Sequence, residues 1–188
     1  MAHSVLVVPV CEMEPLIRSR HEFYDTDYVS DDPSFAHAHV TALGPFVPLA
    51  DLTPGVVAAV TAVCASTASF EFSLTRVATF PSGIIHLVPE PEEPFRALTR
   101  ALWHAFPAYP PYAGQYGEVA PHLTVDALGP GVDEDVVNGW LAGRLPVRCT
   151  AEQVRLSWYD PGACRTVHSF PLGGAASGNR HPKRDVEA

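Results

Sequence analysis

The pattern His, apolar, Thr, apolar occurs twice in this chain, at His39-Val40-Thr41-Ala42 and at His122-Leu123-Thr124-Val125. On a β-strand, alternate side chains share a face, so each copy presents one imidazole and one hydroxyl on the same surface. Composition alone predicts roughly 0.1 such matches in a chain of this make-up. The contexts agree as well. Each copy lies in an apolar run and is soon followed by Gly-Pro, at Gly44-Pro45 and Gly129-Pro130. Such dipeptides stop a strand and turn the chain. Two strands of the same design, each about midway through its half of the chain, imply an internal duplication.

The rest of the pattern supports that reading. Strands are expected over 4–10, 38–43, 70–74, 84–88, 119–127, 147–159 and 166–172, with helices over 12–23, 53–66, 92–106 and 133–141. Thr53-Pro54 supplies a cap and a first-turn proline for the second helix. Phe95, Leu98, Leu102 and Phe106 fall at core-facing helical spacing. The fold class expected is α+β: a bilobal duplication in which two antiparallel sheets face each other across a cleft, with helices on the outside. A single domain over 1–173 is expected, followed by a loose, Gly-rich and then charged tail over 174–188. A ligand site between the lobes is the natural consequence.

Composition narrows the function. With 188 residues, 47% hydrophobic and 18% charged, the chain reads as globular. Its formal charge of −9 opposes extended nucleic-acid binding but leaves room for a small anion held by local groups. The apolar run at 4–10 is too short to cross a bilayer and reads as a buried strand, so no membrane association is expected. Cys11, Cys64, Cys149 and Cys164 show no paired spacing, as expected of reduced thiols in a cytoplasmic protein, here read as a monomer.

Two facing copies of the motif place two imidazoles and two hydroxyls around one point. Such a set can hold a phosphate and transfer protons on both sides of it, as in-line displacement at phosphorus requires of a base and an acid. One neutral and one protonated His supply both near neutral pH. The hydroxyls of Thr41 and Thr124 then donate to the non-bridging oxygens. Which His is base and which is acid is left open. A second reading stays open too: His37 and His39, if both lie on one strand face, make a metal ligand set together with His122. Other candidates for substrate contact are His37, Phe46, Trp158 and Tyr159. Tyr24, Tyr28, Tyr112 and Tyr116 are further aromatic candidates for stacking a base, and Arg18, Arg20, Arg76 and Arg155 for a phosphate. His86 reads as a packed or rim histidine rather than a catalyst, and His104 and His168 as structural. Asp25, Asp27, Asp31 and Asp32 form an acidic loop, either solvated and mobile or a lid that turns away long polyanions.

These residues resemble the 2H phosphoesterase superfamily, in particular its 2'-5' RNA ligase or cyclic phosphodiesterase-like group. The similarity is carried by 39–46, by Pro121-His122-Leu123-Thr124-Val125, by 80–91 and by the helix that starts Glu93-Pro94-Phe95, and it runs from about Val5 to Leu172. The resemblance implies a bilobal duplicated α+β fold. It also implies chemistry on 2',3'-cyclic or 2'-5' phosphodiesters without metal or cofactor, with His39, Thr41, His122 and Thr124 at the functional positions. The substrate implied is a small phosphodiester or an RNA end. The alternative is the same fold turned to acid/base chemistry on, or binding of, another small molecule. His37, where another residue is expected, departs from the family pattern.

Overall fold

The computed structural model describes residues 2–115 and 119–173. The expected tail over 174–188 and the aromatic Tyr116 fall outside the described residues. In chain order the elements are β1 (His3–Pro9), α1 (Glu14–Tyr24), β2 (His39–Leu43), α2 (Pro54–Ser66), β3 (Phe70–Thr79), β4 (Ile84–Glu90), α3 (Glu93–Ala105), β5 (Leu123–Ala127), α4 (Glu134–Trp140), β6 (Val147–Ala151), β7 (Gln153–Tyr159) and β8 (Arg165–Pro171).

The strands form two four-stranded antiparallel sheets, ordered β2-β1-β7-β8 and β5-β4-β3-β6. The motif strands β2 and β5 each occupy an edge, and these two edges lie side by side. The expected α+β architecture is therefore present, with one refinement. The first sheet is built from both ends of the chain and the second from its middle. The segment expected as one strand over 147–159 is two strands in different sheets: β6 pairs with β3, β7 pairs with β1, and exposed Glu152 makes the crossing.

Period-2 burial makes the back of each sheet apolar. Leu6, Val8, Val40, Ala42, Val154 and Leu156 of the first sheet share one continuous core with Ile85, Leu87, Leu123 and Val125 of the second. Helices cover it. Met13 and Ile17 enter at α1, Val60 and Cys64 from α2, Phe95, Leu98 and Leu102 from α3, and Val137 and Leu141 at α4. Thr53 caps α2 by accepting the Val56 N–H, and Asp133 caps α4 by accepting that of Val136. Gly173 closes the described chain in a place where a side chain is barred, since an added Cβ would sit 2.3 Å from the Ala65 carbonyl oxygen.

The expected strand over 119–127 starts late, at Leu123. Pro121 has no N–H to give a ladder. The acidic loop is hydrogen-bonded to β7, to β8 and to the turn between them. Ser30 donates to the Cys164 carbonyl (2.5 Å), Asp32 accepts from the Thr166 N–H (2.8 Å), and the Ser34 carbonyl accepts from Arg155 (2.6 Å) and from Thr166 Oγ1 (2.8 Å).

Candidate active site

The opposite faces of the two sheets carry the polar residues. His39 and Thr41 project from β2 into a depression of about 570 Å³, which His3, Val5, Pro45, Tyr112 and Tyr159 help to line. His122 and Thr124 project into a second depression of about 480 Å³ with Phe80, Ile84, Tyr112 and Val119. Tyr112 borders both, so the two His-Thr pairs share one cleft. Its N–H donates to the Gly44 carbonyl (2.7 Å), and its ring stacks over His122 at 6.3 Å. Tyr112 and Ala113 both adopt left-handed backbone, with φ of 50° and 53°, a strained choice for residues bearing a Cβ. Gly44 lets the chain pass close to β1, since an added Cβ would lie 2.8 Å from Val5 Cγ1.

The two histidines are held alike. His39 Nδ1 bonds the His37 carbonyl (3.0 Å) and the Ala36 carbonyl (3.1 Å), and His122 Nδ1 bonds the Ala120 carbonyl (2.9 Å). A carbonyl only accepts, so Nδ1 carries the hydrogen in both rings. The other nitrogen, Nε2, is left as a proton acceptor. Tyr159 Oη stands 3.5 Å from His39 Nε2. Burial pushes His39 down to about 4, against the two carbonyl bonds that favour its charged form, and the charge of His122 acts in the same direction as burial. Burial also lowers His122, against its bond to Ala120. Burial raises the Tyr159 hydroxyl, which therefore stays protonated and can donate.

A third histidine stands beside the second pair. His86, read from sequence as a packed or rim histidine, is 5% exposed and sits opposite Thr124 across the β4–β5 ladder. It stacks on Phe80 at 3.8 Å and meets His122 edge-on at 5.4 Å. Burial lowers its pKa, and Arg76, exposed nearby, adds to the effect. Phe80 also meets His122 edge-on at 4.9 Å. Phe80 and His86 escaped sequence reasoning because nothing local separates a packed aromatic or imidazole from one lining a cleft. The Pro81-Ser82-Gly83 turn beside them was the available hint.

Three of the expected contacts lie elsewhere. His37 is 3% exposed, and both ring nitrogens are engaged: Nδ1 on Glu14 Oε1 (2.5 Å) and Nε2 on the Ser30 N–H (3.0 Å). It can neither meet a substrate nor complete a metal set with His39 and His122. Among the described residues, no group of three or more His, Cys, Asp or Glu is arranged to hold a metal ion. Phe46 is 4% exposed and packs edge-to-face on Phe106 (4.9 Å) and on Tyr109 (5.6 Å), in the core rather than in the cleft. Trp158 points to the opposite side of β7 from Tyr159, because neighbours on a strand alternate. Of the arginines, Arg18 pairs with Glu22 (3.1 Å), Arg20 with Asp126 (2.7 Å), and Arg155 holds the 25–36 loop.

Two facing sheets, each with an imidazole-hydroxyl pair at its adjoining edge, make a bilobal α+β class of protein with the pairs at the junction. Comparison with known proteins gives that class a family. The profile of the 2'-5' RNA ligase superfamily matches residues 15–163. The chain belongs to this superfamily, that of the 2H phosphoesterases. Among solved structures it is similar to TT0787 of Thermus thermophilus, at TM-score 0.63 and 18% identity, covering 92% of this chain and 98% of that one. It is also similar to a phosphoesterase, at TM-score 0.56 and 12% identity, covering 91% and 98%. A third likeness is to E. coli LigT complexed with 3'-AMP, at TM-score 0.53 and 14% identity, covering 92% and 98%. At these identities the likeness shows the fold. No curated protein sequence matches the chain. Among the described residues, no helix is long and apolar enough to cross a membrane.

Proposed function

We propose that this protein opens 2',3'-cyclic phosphodiesters, or cleaves or joins 2'-5' linkages at RNA ends, by two-histidine acid/base catalysis without metal or cofactor. The observation that carries the reading is the matched pair of imidazoles. Each turns Nδ1 onto the main chain, leaving Nε2 as the reactive nitrogen in a shared cleft.

In hydrolysis, one Nε2 takes a proton from water as its oxygen attacks phosphorus. The other, protonated, gives its proton to the departing ribose oxygen, and a phosphate monoester results. The two roles exchange in the reverse direction. His122 is the simpler proton donor, since burial drives the more enclosed His39 to about 4. Thr41 and Thr124 lie two residues beyond each His, line the same depressions and donate to the non-bridging oxygens as charge builds there. Each proton transfer contributes roughly 10²–10⁴-fold in rate. Phe80, Tyr112 and Tyr159 offer aromatic surface to a nucleoside. With a net charge of −9, the chain suits a small phosphodiester or an RNA terminus and opposes extended RNA. We further propose that it works as a cytoplasmic monomer.

The test is incubation with 2',3'-cyclic nucleotides in EDTA, with product mass as the readout. Stoichiometric opening to monophosphate is expected, unaffected by the chelator. No turnover, or turnover that requires added zinc or manganese, contradicts the reading.

A further inference from the structure

We propose that Glu14, at the start of α1, is a positioning residue that sets the tautomer and aim of His39. The inference rests on the reading of His39 as a proton-transfer group.

The argument is one of peptide planes. The two carbonyls that receive His39 Nδ1–H belong to the peptide units Ala36–His37 and His37–Ala38. In a trans peptide the N–H and C=O point in opposite directions. The N–H ends of these same two units, those of His37 and Ala38, donate to Glu14 at 3.3 Å (Oε1) and 2.9 Å (Oε2). One carboxylate thus grips both planes from behind, and His39 is bonded to them in front. A negative charge on the N–H ends also polarises the carbonyls, which strengthens their hold on Nδ1–H and makes Nε2 a better acceptor. The effect resembles a carboxylate orienting a catalytic imidazole, relayed through two peptide groups instead of direct contact.

Glu14 is itself held in place. Burial pushes its carboxyl up, but the hydrogen bonds from His37 and Ala38 outweigh this and keep it below the ordinary range. The third bond comes from His37 Nδ1 at 2.5 Å. The Ser30 N–H donates to His37 Nε2, so that nitrogen accepts, and Nδ1–H is the end that faces Glu14. His37, which departs from the family pattern, thereby acquires a role as the clamp on Glu14.

The arrangement cannot be repeated at the second motif. The carbonyl behind His122 is that of Ala120, and the next residue, Pro121, has no N–H for a carboxylate to grip. There the proline ring fixes the backbone instead. The two histidines are therefore supported differently, and Glu14 acts on one of them.

The experiment compares the wild type with Glu14→Gln by ¹⁵N NMR of the imidazoles and by steady-state kinetics on a 2',3'-cyclic nucleotide. In the wild type both His39 and His122 are expected as the Nδ1–H tautomer. In Glu14→Gln, His39 alone is expected to gain the Nε2–H form, while His122 stays unchanged as the internal control. kcat is expected to fall at least about tenfold with KM within about twofold, the scale typical of losing an outer orienting partner. Should Glu14→Gln fail to fold, Glu14→Asp, whose shorter carboxylate cannot span both amides, is expected to show the same shift in lesser degree. A His39 tautomer identical to wild type in a folded variant overturns the proposal, whatever happens to thermal stability. If the wild type does not turn over cyclic nucleotides, the catalytic reading fails, and the tautomer spectra still decide the positioning claim.

Discussion

Tyr159 Oη stands 3.5 Å from His39 Nε2, the ring nitrogen turned toward the cleft. A hydroxyl that donates to a neutral imidazole favours the neutral form. Tyr159→Phe removes the donor, whereas the ring contacts with His3 (5.5 Å) and Phe35 (5.2 Å) remain available to phenylalanine. The acidic limb of the kcat/KM profile is expected to move to higher pH, with little change in Tm. A pH-rate comparison of the two proteins checks this.

The whole pH profile should lie on the acid side of neutral. His39 is driven down to about 4 and His122 below its ordinary 6.5, both by burial. A bell-shaped kcat/KM is expected, its acid limb near 4 and its alkaline limb below 6.5, with both limbs belonging to the coupled pair. Stability follows the same groups. Between about 4 and 6.5 the unfolded chain binds a proton that folded His39 does not, so stability is lost as pH falls through that window. Chemical denaturation at pH 7 and pH 5 should give the lower midpoint at pH 5, and His39→Gln should reduce the difference without abolishing it, since His122 and His86 are lowered by burial too.

The threonines separate transition-state binding from ground-state binding. Thr41→Val and Thr124→Val keep the shape and remove the hydroxyl that, in the proposed reaction, donates to developing negative charge. Each is expected to lower kcat about a hundredfold, with a smaller change in KM. Single-turnover rates on a cyclic nucleotide measure the effect on the chemical step.

Phe46 and Phe80 should behave in opposite ways. Phe46 is buried against Phe106 and Tyr109, so Phe46→Ala is expected to cost about 3–5 kcal/mol of stability. Its KM at a temperature where it is folded should match wild type. Phe80 lines the cleft beside His122, so Phe80→Ala should raise KM with a smaller loss of stability. Thermal melts paired with KM values distinguish the two.

The contrast between these residues shows where sequence reasoning reached and where it stopped. The His-apolar-Thr-apolar pattern is a period-2 signal: it holds for His39 and Thr41 inside β2, and the chain just ahead of β5 is extended enough to carry it to His122, which lines the same depression as Thr124. The caps at Thr53 and the burial of Phe95, Leu98 and Leu102 were legible for the same reason, since local spacing decides them. The crossing at Glu152 was not, because neither glycine nor proline marks the point where β6 leaves one sheet and β7 joins the other. His37 misled because two-residue spacing means a shared face only inside a strand, and β2 begins at His39. Phe46 sits where the chain dips into the core after Pro45, which pattern alone does not reveal. Glu14 left no trace either, since an acidic residue in the first turn of a helix is ordinary, and its grip on Ala38 joins residues 24 apart.

The central claim is that the His39 and His122 imidazoles act as one unit on a single phosphodiester. It is tested most directly by the rate of 2',3'-cyclic nucleotide opening in His39→Ala, His122→Ala and the double variant, each shown to be folded. Each single change is expected to remove at least about 10²-fold, and the double variant to be scarcely slower than either, as groups serving one reaction do. A single variant that retains wild-type turnover, or losses that multiply in the double variant, would contradict it.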